Sequence, residues 1–189
     1  MSRLKDNFVN PQRWGFLIFK SIIFSIHKNK INKRLCHKVY IADPVGVGLI
    51  VYKNGKFRRF SSETFVPKSF ANQINAGDVP PFTMNGGIVA INLSPRTFEE
   101  PRYLYYRPLA SYDINYVKTT ELQLATEDPQ YNGKIITQQM VDVLPSQSVG
   151  QAMSSEGILF MGLTKERAVA CWNIKKSPNK ENIVSTCKM

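Results

Sequence analysis

The chain has 189 residues, of which 43% are hydrophobic and 11% aromatic, enough for one globular domain and typical of β structure. Its formal net charge of +11 would suit a nucleic-acid partner. However, residues 1–38 hold nine Lys or Arg and one acid, which leaves only +3 for the rest. Because residues 39–189 show no basic stripe interleaved with aromatics, the sequence argues against nucleic-acid binding.

This shift in charge predicts two segments, a basic and apolar extension over 1–38 and a β-rich body over 39–189. The apolar run 14–26 is interrupted by Lys20 and is shorter than the ~18 residues of a membrane span. The basic stretch 27–34 follows it in place of a cleavage site, so the sequence shows no convincing signal peptide. Three readings stay open: sequence foreign to the native domain, a degenerate targeting or anchor segment, or a basic amphipathic surface helix.

The body begins with a predicted meander of three short strands. Residues 39–43 and 49–52 are apolar runs, and Asn54-Gly55 is a strong hairpin signal before the alternating run 56–60. Residues 61–85 contain Pro67, Pro80 and Pro81 and are predicted to be a long surface loop.

Two further meanders are predicted. The second contains strands over 86–95, 103–111 and 113–118, followed by a helical turn or loop at 119–124 and an ambiguous stretch at 134–144. The third contains strands over 150–154, 158–163, 168–173 and 182–186. Repeated antiparallel meanders are typical of β-propeller blades, with a closed sandwich as the alternative. The predicted fold is therefore all-β, a partial propeller of about three blades with an irregular or helical N-terminal extension.

Four groups of residues also resemble a known family. They are 39–43 with 48–52, then 87–95, then 104–111, and finally 157–160 with 170–173. In this order they resemble the major royal jelly protein and Yellow family of insects. The resemblance implies a secreted protein with a six-bladed propeller, of which this chain would supply the middle and later blades.

The same resemblance implies the expected ligands and their location. It suggests a small aromatic amine or a lipid in the central channel, bordered by the strands over 88–93 and 103–106. On these strands Val89, Ile91, Tyr105 and Tyr106 are the candidate ligand-binding residues. The remaining propeller blades, absent from this chain, would be its partners.

Three cysteines, Cys36, Cys171 and Cys187, cannot all pair within one chain. The resemblance implies a disulfide at Cys171 with a cysteine further downstream that this chain lacks. Pairing with Cys187 and a buried reduced state remain alternatives. Asn92-Leu93-Ser94 is an N-glycosylation sequon, although it lies on a predicted strand before Pro95.

No catalytic, cofactor or metal site is predicted. Both histidines, His27 and His37, precede the body, which leaves no imidazole there for base catalysis or zinc binding. The carboxylates show no paired spacing and are expected to lie in turns; they include Asp43, Asp113, Asp142 and Glu156.

The expected function is an extracellular, non-catalytic role with binding of a small aromatic amine or a lipid. Two alternatives stay open. One is a dopachrome-converting enzyme of pigmentation, which the resemblance brings in, and the other is a truncated, non-functional fragment.

Overall fold

A computed structural model describes residues 24–29, 36–96, 101–131 and 135–184, with side chains from residue 38 onward. These residues form three four-stranded antiparallel sheets and one two-stranded sheet. The all-β prediction of three meander units is thus confirmed, and the three units do not close into a ring. Among the described residues, the helices lack the length and the apolar character of a membrane-spanning segment.

The first sheet has the order β1-β2-β3-β4. Its strands are β1 (Phe24–Asn29), β2 (Cys36–Asp43), β3 (Gly48–Lys53) and β4 (Lys56–Phe60). Asn54 and Gly55 have φ values of 50° and 82°, the left-handed conformation that a tight two-residue hairpin turn requires. The sequence signal at this turn therefore corresponds to the observed geometry.

The basic N-terminal extension overlaps this sheet. Strand β1 lies within residues 1–38 and pairs antiparallel with β2, from Phe24 opposite Ile41 to Asn29 opposite Cys36. Residues 24–29 are thus extended, where an irregular or helical segment was expected. Residues 1–23 and 30–35 lie outside the described residues, and the division into two domains at residue 38 stays a prediction.

The connection after the first sheet is more ordered than the sequence predicted. It contains two single-turn 3-10 helices, Glu63–Phe65 and Ser69–Ala71, and a hairpin of β5 (Gln73–Ala76) with β6 (Val79–Thr83). Pro80 and Pro81 lie within β6. A two-stranded sheet consists only of edge strands, where a residue without an N–H group is tolerated, and so the prolines did not prevent strand formation.

The second sheet has the order β10-β9-β8-β7. Its strands are β7 (Ile88–Leu93), β8 (Tyr103–Pro108), β9 (Ile114–Lys118) and β10 (Gln138–Met140). Helix α1 (Thr119–Glu127) follows β9 directly and buries Leu122 and Ala125. The two stretches that the sequence left ambiguous are therefore a nine-residue helix and a short strand.

The third sheet has the order β11-β12-β13-β14. Its strands are β11 (Ser148–Met153), β12 (Ile158–Leu163), β13 (Ala168–Asn173) and β14 (Ile183–Val184). Buried and half-buried residues alternate along β12, as expected for a strand with one side against the core.

Apolar side chains fill the spaces between successive sheets. The first core lies between the first and second sheets and includes Tyr40, Leu49, Phe60, Ile88 and Tyr106. The second core lies between the second and third sheets and includes Tyr105, Ile114, Leu159, Met161 and Trp172. A small third core joins Ile74, Val89 and Leu109. Each four-stranded sheet is thus a blade, and successive blades pack face to face.

Gly87 lies where the second blade touches the turn between β2 and β3. Its N–H donates to the Pro44 carbonyl at 2.9 Å, and a Cβ there would be 3.0 Å from that oxygen and 3.1 Å from Val47 Cα. Since backbone atoms cannot rotate away, we expect Gly87→Ala to lower the free energy of unfolding by about 1–3 kcal/mol. Chemical denaturation would measure this loss.

The matched control is Gly162→Ala, because a Cβ at Gly162 meets nothing within 4 Å in the part of the chain that the structure describes. This second substitution should leave stability unchanged or raise it slightly, since alanine restricts the unfolded chain. Equal losses in both variants would contradict the close approach at Gly87.

Candidate functional site

Three edge strands, one from each blade, lie next to one another. Strand β7 packs against β11 of the third blade and against β1 and β2 of the first. In a propeller the innermost strands of the blades border the central channel. A ligand in such a channel would therefore lie near β7 and its neighbour β8.

The four predicted ligand-binding residues are buried, and they are divided among three cores. Ile91 and Tyr106 are opposite each other in the β7–β8 register and both face the first core. Tyr105 faces the second core, and Val89 faces the third. All four side chains are at most 7% exposed. The structure thus brings only Ile91 and Tyr106 together, and the ligand-binding role of the four residues stays a prediction.

Tyr106 is held in place by hydroxyl groups. Its Oη lies 2.6 Å from Thr64 Oγ1, which in turn lies 3.0 Å from Thr137 Oγ1. Burial raises the pKa of Tyr106 to about 12, although the hydrogen bonds with the threonines act in the opposite direction. The phenol therefore stays protonated at neutral pH.

Tyr105 lies in a group of packed aromatic rings in and beside the second core. Its ring is 5.5 Å from that of Tyr116, in a stacked arrangement, and 5.9 Å from Trp172, edge to face. Tyr103 is 5.8 Å from Tyr116. Burial, with smaller contributions from Tyr116 and Tyr103, raises the pKa of Tyr105 well above its ordinary value. These rings stabilise the contact between the second and third blades.

Arg107 is the most unusual polar residue of this region. It lies on β8 opposite Ala90 of β7, is fully buried, and donates from Nη2 to the Gly150 carbonyl of β11 at 3.0 Å. Its Nε and Nη1 find no hydrogen-bond partner among the described residues. Burial lowers the pKa of Arg107 to about 9, so the guanidinium is still charged at neutral pH. A buried charge with unpaired donors is costly unless another group meets it.

Asn92 supplies an unpaired acceptor on the same strand pair. Its Oδ1 is buried and has no hydrogen-bond partner within the described ranges. Asn92 lies two positions from Ala90 along β7, so its side chain is on the same sheet face as Arg107. Together they present unsatisfied donors and an unsatisfied acceptor near the inner edge of the blade. The glycosylation of Asn92 stays a prediction that enzymatic deglycosylation with mass measurement would test.

Sequence analysis missed Arg107, although a signal was present. An arginine inside the otherwise apolar and aromatic strand 103–109 cannot reach water easily from a buried sheet. Its burial depends on β11, which is more than forty residues away in the chain, so the strand pattern alone could not reveal it.

The structure also brings together carboxylates that the sequence showed as scattered. Asp113 is buried and accepts hydrogen bonds from Lys68 Nζ at 2.9 Å, Gln139 Nε2 at 2.7 Å and the Asp142 N–H at 2.9 Å. Lys68 Nζ is also 3.8 Å from Asp142. With its oxygens occupied in this way, Asp113 links the connection before β5 to the end of β10. The described residues hold no group of three or more metal-ligating side chains.

A basic groove of about 400 Å³ lies beside β4 and the end of α1. Much of its charge is already used within the fold, because Arg58 donates to the carbonyls of Asp128 and Tyr131 and Glu127 pairs with Lys53 at 2.7 Å. The groove therefore offers less free charge than its composition suggests.

Cys171 on β13 is disulfide-bonded. The chain has two other cysteines, Cys36 and Cys187, and the side chains of both lie outside the described residues. The reduced alternative is thus wrong for Cys171, while the choice of its partner stays open. Cys187 is three residues beyond Val184, which lies opposite Cys171 in the β13–β14 register, and so we predict that pair.

We expect Cys171→Ser to lower the free energy of unfolding by about 3 kcal/mol, the typical value for a loop of roughly fifteen residues, because the unfolded chain regains freedom. Denaturation with and without reductant would measure this loss, and reductant should have little further effect on the variant. Peptide mapping without reduction identifies the partner, and a peptide that joins Cys171 to Cys36 would contradict our assignment.

Comparison with known proteins gives a consistent set of relatives. The family model described as "Major royal jelly protein" matches residues 18–187. Major royal jelly protein 7 of Apis mellifera is 39% identical over 150 residues, covering 76% of this chain and 31% of that protein. Major royal jelly protein 2 of the same species is 38% identical over 151 residues, with coverages of 77% and 31%. The chain spans about a third of the length of these curated relatives.

Proposed function

Because the chain belongs to the major royal jelly protein family, we propose that it is a secreted, non-catalytic protein that holds a small ligand beside its inner strands. The observation that carries the ligand is Arg107, which is fully buried and has two donor nitrogens, Nε and Nη1, that lack a partner among the described residues. Such donors are stabilised when a ligand supplies an acceptor oxygen.

Secretion is supported by the disulfide at Cys171. Disulfides persist mainly in oxidising compartments such as the extracellular space. The family relationship supports the same localisation.

The charge of Arg107 favours one ligand class over the other. A protonated aromatic amine would be repelled by a buried guanidinium, whereas the carboxylate of a lipid would pair with it. On the face of β8 that carries Arg107, the side chains of the second core, which include Tyr105 and Ile114, suit an alkyl chain. Of the two expected ligands, we therefore propose a lipid with an acidic head group.

A non-catalytic role agrees with the acid–base groups of this region. Dopachrome conversion needs a proton-transfer group near neutral pKa within reach of the substrate. The pKa values of Tyr105 and Tyr106 are raised, so neither phenol serves as a base at neutral pH. Asp113 already accepts three hydrogen bonds from its neighbours.

The test is thermal unfolding of the oxidised 189-residue chain with dodecanoate below its micellar concentration, or with serotonin. A ligand that binds only the folded state raises the unfolding midpoint once the ligand concentration exceeds Kd. At a ligand concentration of a hundred times Kd, the free energy of unfolding increases by about 2.7 kcal/mol. We expect dodecanoate to raise the midpoint of the parent chain and to have no such effect on Arg107→Met.

The other outcomes separate the alternatives. If serotonin raised the unfolding midpoint and dodecanoate did not, the ligand would be an aromatic amine and not a lipid. Conversion of dopachrome at a higher rate than in buffer alone would support the alternative function, a dopachrome-converting enzyme. Absence of a cooperative transition would show that this chain does not fold by itself, and would overturn both activities for it.

A further inference from the structure

The third blade has one side against the second core and an opposite side that we call the glycine face. On this side Gly150 is opposite Gly162, and in the neighbouring row Ala152 is opposite Phe160. A Cβ added at Gly150 or Gly162 meets nothing within 4 Å among the described residues, and Val169 beside Gly162 is 46% exposed. The glycine face is thus apolar, with a shallow depression along its glycine row.

The first blade has a corresponding outer side, which we call the aromatic face. Val39, Tyr52 and Phe57 are opposite one another across β2, β3 and β4, and Ile41, Ile50 and Arg59 form the next row. The charge of Arg59 is paired on the same face with Asp43, at 3.2 Å. The rings of Tyr52 and Phe57 are 4.8 Å apart, and Phe57 is 68% exposed. The aromatic face therefore carries a ridge of large side chains.

The two faces have complementary shapes. A ridge formed by Tyr52 and Phe57 fits a row that lacks side chains at Gly150 and Gly162, just as large and small residues interlock between packed sheets. Face-to-face packing is also how the three blades already contact one another. A contact between the glycine face and the aromatic face would continue that stacking.

We propose that two copies of this chain associate head to tail, with the glycine face of each on the aromatic face of the other. This arrangement closes by a two-fold axis into a ring of six blades, within the range of about four to eight that propellers use. Closure requires that both contacts form in one dimer.

The area of the two faces favours a closed dimer with two contacts over an association through one contact. Four strands about 4.8 Å apart and five residues at about 3.3 Å each give roughly 300 Å² per face. One contact would bury about 600 Å² in total, the size of an ordinary crystal contact, whereas two reach about 1,200 Å², the lower limit of stable interfaces. The closed dimer is therefore favoured over an open chain of copies.

Sedimentation of the 189-residue chain over a dilution series tests the proposal. We expect a dimer that dissociates on dilution. Gly162→Arg adds a charged side chain to the glycine face at a position with free space, and Phe57→Asp removes the ridge and adds a charge. Each should weaken dimerisation by about 30-fold or more, since both place a charge in a central contact. The control Ile136→Asp changes a side chain that is 84% exposed on a loop and should have no effect.

Mixing the two variants distinguishes head-to-tail association from other arrangements. A dimer of Gly162→Arg with Phe57→Asp retains one contact between two unaltered faces, so the mixture should associate more strongly than either variant alone. A monomer at all concentrations, a polymer in place of a dimer, or a dimer sensitive to only one substitution would overturn the proposal. Circular dichroism of each variant confirms that its fold is intact, and a second pair, Gly150→Arg with Tyr52→Asp, replaces any variant that fails to fold.

Discussion

Replacing Asp113 by alanine should lower the free energy of unfolding by about 3 kcal/mol. The Asp113 side chain is 2% exposed and lies 2.7 Å from Lys68 Nζ, which is itself only 25% exposed. Removal of one partner from a buried ion pair leaves the other charge without compensation, a loss of about 3–5 kcal/mol. We take the lower limit because Asp142 is close enough to receive the lysine. Urea denaturation at neutral pH would measure the change.

The matched control is Asp78→Ala. Asp78 pairs with Arg167 at 2.5 Å, but its side chain is 94% exposed, so water and salt already screen the pair. Little or no change in stability is expected. If Asp113→Ala were as neutral as this control, the hydrogen bonds at Asp113 would be incidental to the fold.

Replacement of Arg107 by methionine should leave the free energy of unfolding unchanged or raise it by about 1 kcal/mol or more. Methionine keeps much of the side-chain volume and removes a buried charge whose Nε and Nη1 lack partners among the described residues. Such replacements are often neutral or stabilising, by about 1–4 kcal/mol. Arg107→Ala should instead lose about 2–5 kcal/mol, because it leaves a cavity between the blades.

The pH dependence gives Arg107 a distinct signature. Its folded pKa is lowered to about 9, from 12.5, so above pH 9 the folded state releases a proton that the unfolded state still holds. The unfolded state then binds more protons, and stability rises with pH. We expect the parent chain to gain stability relative to Arg107→Met from about pH 9 upward.

Buried tyrosines change the stability with pH in the opposite direction, and the comparison of the parent chain with Arg107→Met removes their effect. The pKa of Tyr106 is raised to about 12, so its contribution to stability is complete below about pH 10 and is lost between pH 10 and 12. Both proteins contain Tyr106 and Tyr105, and the difference between them isolates Arg107. A large loss in Arg107→Met at pH 7 would mean that the guanidinium already has a bound partner, which would support a ligand in the parent protein.

Local sequence signals predicted many of the strands, because the pattern of side chains along a strand depends on neighbouring residues in the chain. Alternating or continuous apolar runs identified β3, β7, β8, β12 and β13, and Asn54-Gly55 identified a hairpin turn that requires positive φ. The order of the motifs was also sufficient to recognise the family. The hairpin of β5 and β6 was missed because proline is normally a signal against strands, and only the edge position of β6 makes it acceptable.

The sequence by itself therefore determined the strand content, the three meanders and the family, since each depends on neighbours in the chain. Tertiary structure decided which polar groups are buried and which meet. Arg107 reaches Gly150, and Lys68 reaches Asp113, only because packed blades bring distant segments together. Tertiary structure likewise showed that Phe57 of the first blade and Val169 of the third are exposed, because the exposure of a strand face depends on what packs against it.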